Sequence, residues 1–110
     1  MIYEMRRYDA VPGKMASLNE LMQDLAVPVF KRLGMTVVAC FTPEVGDDEN
    51  TLIYILGYAD MGERQRLWDK FWVDPEWVEG RSKLGTKFGG PVVAKSNSVF
   101  LKPTGYSDLQ

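Results

Sequence analysis

Five consecutive residues, Leu52-Ile53-Tyr54-Ile55-Leu56, set the tightest limit on how this chain folds. They belong to TLIYILGYA, which follows a second apolar segment, MTVVACFT, across the acidic, turn-rich PEVGDDEN. Two such runs joined by a Pro/Gly/Asp loop read as an antiparallel hairpin. A strand with one wet face alternates apolar and polar residues, whereas this one is apolar on both parities, so both faces of its sheet need cover.

The remaining elements fall into order around that hairpin. Residues 2 to 9 alternate, with Ile2, Glu4, Arg6 and Tyr8 on one face and Tyr3, Met5 and Arg7 on the other, the period of a strand. After Val11-Pro12-Gly13, the positions Met15, Leu18, Leu21, Met22, Leu25, Val29 and Leu33 keep a helical stripe that stops at Gly34, with a kink expected at Pro28. Asp60 opens a second helix, with Glu63 placed for a capping box and Leu67, Trp68, Phe71 and Trp72 on one stripe. Asp74-Pro75 restarts it, with Val73 and Val78 spaced for a hydrophobic staple. GTKFGGP, residues 85–91, reads as a loop, and a last strand is expected near Ser96 to Lys102, ending at Pro103.

Strand, helix, strand, strand, helix, strand is the order of a ferredoxin-like α+β domain, βαββαβ, with a four-stranded antiparallel sheet and helices on one face. At 110 residues with no linker or repeat, the chain is one domain, residues 1–110. Two helices cover one side of the sheet. A second copy of the same sheet, packed face to face by two-fold symmetry, covers the other, which makes a homodimer the expected assembly.

Several functions are excluded by what the chain lacks. It has no histidine, hence no Ser-His or Cys-His pair, no histidine haem ligand and no usual zinc site. A net charge of −2 gives no footprint for nucleic acid. No run reaches the ~18 apolar residues of a membrane span, and MIYEMRRYDA is not a secretory leader, so the cytoplasm is the expected compartment. The glycines of residues 85–91 lack phosphate-loop spacing, and the acidic loop lacks calcium-loop spacing. No metal and no cofactor is therefore expected. Cys40, inside VVACFT, is expected to be buried and inert.

Three motifs in order resemble the NIPSNAP family over almost the whole chain: Glu4-Met5-Arg6-Arg7-Tyr8 followed by Pro12-Gly13-Lys14, then Asp74-Pro75-Glu76-Trp77, then Leu101-Lys102-Pro103-Thr104. Met5, Lys102 and Tyr106 depart from the residues usual there. The resemblance implies the dimeric α/β-barrel superfamily. It implies no particular reaction, since NIPSNAP-like proteins are described through associations with vesicles, mitochondria and partner proteins, in longer eukaryotic members with targeting segments. Superfamily relatives with known chemistry include haem-degrading enzymes and cofactor-free monooxygenases of quinol or phenolic substrates. Both bind a flat molecule between sheet and helices, some against a helix tryptophan.

The candidate ligand-binding residues follow from both lines: Glu4, Arg6, Tyr8, Tyr54, Trp68 and Trp72. Trp68 and Trp72 serve either as core filling or as the wall of a pocket. Glu4 and Arg6, about 6.5 Å apart along one strand face, form either a satisfied structural pair or a site in which Arg6 anchors a carboxylate or phenolate beside Tyr8 and Tyr54. No catalytic residue is assigned, and whether the chain is an enzyme is left open. The expected function is binding of a small aromatic or anionic molecule; the alternative is cofactor-free oxidation of a phenol or quinol, for which Glu4 is the one candidate base.

Overall fold

The computed structural model describes residues 1–110. Its elements run β1 (Ile2–Ala10), α1 (Met15–Leu21), a π-helical segment (Met22–Ala26), α2 (Val27–Leu33), β2 (Thr36–Phe41), β3 (Thr51–Tyr58), α3 (Met61–Val73), α4 (Pro75–Phe88) and β4 (Val93–Leu101). The strands form one antiparallel sheet in the order β2-β3-β1-β4, with all helices on one side: a ferredoxin-like α+β domain. It is a slab, 45 × 37 × 18 Å, and its short dimension leaves room for only a helix layer and a sheet. No helix is long and apolar enough to cross a membrane.

Pro28 does perturb the first helix, but as a widened turn. A proline at that position cannot donate to the Asp24 carbonyl and its ring crowds it. The chain responds one turn earlier with i→i−5 bonding over Met22–Ala26, in which the Val27 N–H donates to the Met22 oxygen. The helix ends where Gly34 takes φ 96°, a left-handed conformation open to glycine, and the Met35 N–H reaches back to the Phe30 oxygen at 2.9 Å.

Asp60 and Asp74 are both N-caps, accepting from the Glu63 N–H at 2.8 Å and the Trp77 N–H at 3.2 Å. Asp74 also accepts from Arg32 Nη2 at 2.6 Å, tying the start of α4 to the end of α2. At Gly80 the helices touch: a Cβ there would lie 2.7 Å from Leu25 Cδ1, so the missing side chain sets how closely α4 lies on the π-helical segment.

Four expectations need correction. Gly85–Phe88 is helical, because Leu84 and Phe88 continue the stripe begun by Trp77 and the αL stop falls later, at Gly89 with φ 77°. β4 starts at Val93 and ends at Leu101, since pairing with β1 extends down to Ala10↔Val93. Val73 and Val78 are 74% and 50% exposed, so they make no staple core; the Asp74 cap and Pro75 suffice for the restart. Cys40 is exposed, because β2 is an edge strand and Cys40 is the next-to-last residue of it.

The core lies between sheet and helices. Leu52, Tyr54, Leu56 and Tyr58 of β3 point into it, and all are nearly fully buried. By register, Glu4 pairs with Leu56, Arg6 with Tyr54 and Tyr8 with Leu52, so the polar parity of β1 also faces the helices. The opposite sheet face carries Met5, Ile53 and Ile55, flanked by Phe41, Val99 and Leu101, which are 55%, 44% and 43% exposed.

Candidate functional site

The polar parity of β1 has to be reconciled with a core, and a closed hydrogen-bond network does so. Glu4 is fully buried, and its carboxylate accepts four bonds: Arg6 Nη1 at 2.9 Å, Arg64 Nε at 3.3 Å, Arg64 Nη2 at 3.2 Å and the Tyr58 hydroxyl at 2.8 Å. Tyr58 in turn accepts from Trp68 Nε1 at 2.8 Å. Burial works against the Glu4 charge, but the hydrogen bonds from Arg64 and Tyr58 and the charges of Arg6 and Arg64 outweigh it, so Glu4 sits below its ordinary value and stays ionised. Burial pushes the Tyr58 phenol up, leaving it a neutral donor.

Arg6 is the junction between this network and a second one. Its Nε donates to the Tyr54 hydroxyl at 2.7 Å and its Nη2 to the Tyr8 hydroxyl at 3.2 Å, while the two hydroxyls lie 2.7 Å apart. The guanidinium carbon stands 4.5 Å from the centre of the Trp68 ring, within cation–π range. Burial opposes the Arg6 charge, and the oxygens of Tyr54, Tyr8 and Glu4 more than restore it. Burial holds the Tyr54 phenol well above its ordinary value.

Beside Arg6 opens a cleft of about 550 Å³ between sheet and helices. Its floor is Arg6, Tyr8 and Ser96 of the sheet; Tyr8 and Ser96 are register partners on β1 and β4. Trp68, Phe71 and Trp72 of α3 form one wall, and Trp77, Arg81, Leu84 and Phe88 of α4 another. Met22, Ala26 and Phe30 close the side of the first helix. Aromatic rings pack edge-to-face or tilted through this wall, with Trp68–Trp72 centroids at 5.3 Å and Phe71–Trp77 at 4.4 Å. No acidic residue lines the cleft, and Arg81 makes no ion pair.

The six residues singled out from the sequence thus divide. Arg6, Tyr8, Trp68 and Trp72 line the cleft; Glu4 and Tyr54 lie behind it and hold Arg6 in place. Trp68 is both core and wall, since it is 3% exposed, whereas Trp72 is 53% exposed at the mouth. Sequence reasoning missed Tyr58 and Arg64, the other partners of Glu4, and Trp77, Arg81, Leu84 and Phe88. The last four carried a signal: spacings of four, three and four residues mark one helical face. Tyr58 shares the parity of Tyr54, and Arg64 stands in the first turn of the next helix.

A four-stranded antiparallel sheet under helices, with a cleft between the two layers, defines a ferredoxin-like α+β domain with an aromatic pocket. The chain belongs to the NIPSNAP family, whose model matches residues 3–108. Among solved structures it is similar to a NIPSNAP family protein from Agrobacterium tumefaciens strain C58, at TM-score 0.84 and 24% identity, covering 99% of this chain and 98% of that one. It is similar also to an uncharacterized NIPSNAP domain protein from Burkholderia xenovorans, at TM-score 0.80 and 22% identity over 97% and 98% of the two chains. A more distant fold neighbour, at TM-score 0.64 and 10% identity over 94% and 98%, is a Nitrosomonas europaea protein provisionally named as an antibiotic biosynthesis monooxygenase. Among curated proteins none matches.

Proposed function

We propose that this NIPSNAP-family domain works as a homodimer that binds a small, flat, apolar molecule carrying an anionic or acidic group in the cleft between sheet and helices. The observation that carries the reading is the lining of the cleft: aromatic walls, two arginines and no carboxylate. An apolar pocket of this size with a few convergent polar groups suits a small molecule, and guanidinium donors suit a carboxylate or phenolate. The homodimer rests on the uncovered apolar parity of the sheet, Met5, Ile53, Ile55, Val99 and Leu101, which a second copy would cover.

Trp68, Trp72 and Trp77 all line the cleft, so a bound aromatic acid should quench native fluorescence. The test is a titration with a panel of aromatic carboxylates and phenols beside neutral analogues. Saturable quenching by acids, retained in a folded dimer by light scattering, is the expected result. A folded protein whose fluorescence answers to no member of the panel would overturn the reading.

Cofactor-free oxidation of phenols or quinols is the second reading, favoured by the fold shared with the monooxygenase-named neighbour. It meets a chemical obstacle, because a substrate proton needs an acceptor. Glu4 is sealed behind Arg6 and held below its ordinary value, far from a base tuned to neutral pH. Oxygen uptake with a quinol panel separates the two readings.

A further inference from the structure

Counting donors and acceptors on the cleft floor fixes the direction of every hydrogen bond there. Tyr54 is fully buried, and its hydroxyl touches two groups, Arg6 Nε and the Tyr8 hydroxyl. Arg6 can only donate, so the sole acceptor for the Tyr54 proton is the Tyr8 oxygen. The reverse orientation would leave a buried hydroxyl proton without a partner. The Tyr8 oxygen therefore accepts from Tyr54 and from Arg6 Nη2, which fills both lone pairs, and its own proton has no acceptor in the protein.

Arg6 adds to this. A guanidinium has five N–H donors, and three are engaged, by Tyr54, Glu4 and Tyr8. Five less three leaves two without a protein acceptor on a residue that lines the cleft. The charge count has the same sign: Glu4 is one negative charge between two positive ones, Arg6 and Arg64, so the network carries a net charge of +1. The other elements do not offset it. The first helix contributes only apolar side chains to the cleft, α3 only aromatic ones, and α4 the unpaired Arg81.

The geometry points to an oxyanion seat: the cleft takes its ligand as the ionised form, with a phenolate, enolate or carboxylate oxygen on the Tyr8 hydroxyl and the spare N–H groups of Arg6. This rests on the cleft being a ligand site, and narrows the ligand class to acids bound as anions. Arg6 and Tyr8 offer only donors, and the one side-chain acceptor on the floor is the Ser96 hydroxyl, a weak neutral one, so a neutral phenol is bound less well than its phenolate, which takes the donors of both. Binding then lowers the ligand's own pKa, by about 1–3 units for an oxygen beside one uncompensated cation.

The probe is 4-nitrophenol, whose phenolate is coloured, beside its methyl ether 4-nitroanisole, which has the same ring and no ionisable proton. Each is titrated against the full chain, with tryptophan quenching reporting occupancy and visible absorbance across pH reporting ionisation. The expected result is a fall of at least one unit in the pKa of bound nitrophenol, together with at least tenfold tighter binding of nitrophenolate than of nitroanisole. Tyr8→Phe should shrink both differences while still binding nitroanisole. Equal binding of the two probes with an unmoved pKa would overturn the oxyanion seat and leave the cleft a neutral aromatic pocket. No quenching by either probe, with the aromatic-acid panel also silent, would remove the ligand site itself and the seat with it. Should Tyr8→Phe fail to fold, the comparison of the two probes on the unaltered chain decides alone.

Discussion

Replacing Glu4 by glutamine tests whether the network behind the cleft has the energetics its geometry implies. The substitution keeps size and shape but removes the only negative charge between Arg6 and Arg64, and replaces one carboxylate oxygen by an amide NH2 that faces donors. Hydrogen bonds to a charged group contribute ~1.5–3 kcal/mol and neutral ones ~0.5–1.5 kcal/mol. The four bonds to Glu4 should thus lose about 1 kcal/mol each. Removing one partner of a buried pair costs about 3–5 kcal/mol, and here the low end applies, because Arg6 and Arg64 keep 14% and 23% of their side-chain surface in contact with water. A loss of about 3–4 kcal/mol, set against the ~5–15 kcal/mol of a typical domain, leaves a folded protein. Urea unfolding at neutral pH reads it directly: with a slope of ~2 kcal/mol per molar, the midpoint falls by roughly 1.5–2 M. The pH dependence gives a second readout. Glu4 is lowered in the folded state, so its contribution is present above its unfolded value and is lost as pH falls through the folded one. That segment of acid destabilisation should be present in the unaltered protein and absent from Glu4→Gln. A loss under about 1 kcal/mol with an unchanged slope, or identical acid limbs, would refute the reasoning.

Three further outcomes are expected. Trp68→Phe removes the Trp68 Nε1 bond to Tyr58 and leaves a gap at a ring that is 3% exposed, so it should destabilise by about 1–3 kcal/mol in urea unfolding without abolishing the fold. Asp74→Ala removes both the α4 cap and the partner of Arg32, and should lower the thermal unfolding midpoint while quenching by aromatic acids stays unchanged, since Asp74 does not line the cleft. Cys40, exposed at the edge of the sheet, should react with a thiol reagent in the native protein, faster as pH rises, because the thiolate is the nucleophile and partial desolvation of the sulfur pushes its thiol up. Protection of Cys40 until unfolding would mean that the β2 edge is covered in solution.

The order of elements was readable because each signal was local. Gly34, Asp60 and Asp74 each mark a helix boundary by a conformation or a cap that a single residue carries. What could not be read depended on neighbours. Both parities of β1 mix charged and apolar residues, so alternation alone could not say that Glu4 and Arg6 face the helices; the decision comes from Tyr58 and Arg64, which reach Glu4 from β3 and α3. Glycine misled in the other direction. Gly85 looks like a loop residue beside Gly89 and Gly90, yet the helix passes through it because Leu84 and Phe88 continue the cleft-lining face of α4. Cys40 was misread for a similar reason: an apolar sequence context reports a strand, and whether the strand is central or at an edge is set by sheet order alone.

The three tryptophans crowded between positions 68 and 77 acquire separate jobs from the turn at Asp74. Trp68 and Trp72, four residues apart on α3, share a face, but only Trp68 sits deep enough for its indole N–H to join the network. Trp77 comes from the next helix, and its backbone N–H is taken by the Asp74 cap while its ring packs on Phe71 and faces the cleft. Because Asp74 also holds Arg32, the cap ties the start of α4 to the end of α2. On the other side, Trp68 lies over Arg6 and is bonded to Tyr58, which is bonded to Glu4, so the guanidinium is held on three sides before any ligand arrives. An arginine held in this way loses little further side-chain entropy when it meets an anion. The buried charge at Glu4 is therefore what holds the Arg6 guanidinium rigid on the cleft floor, while the second arginine, Arg64, leaves the network net positive.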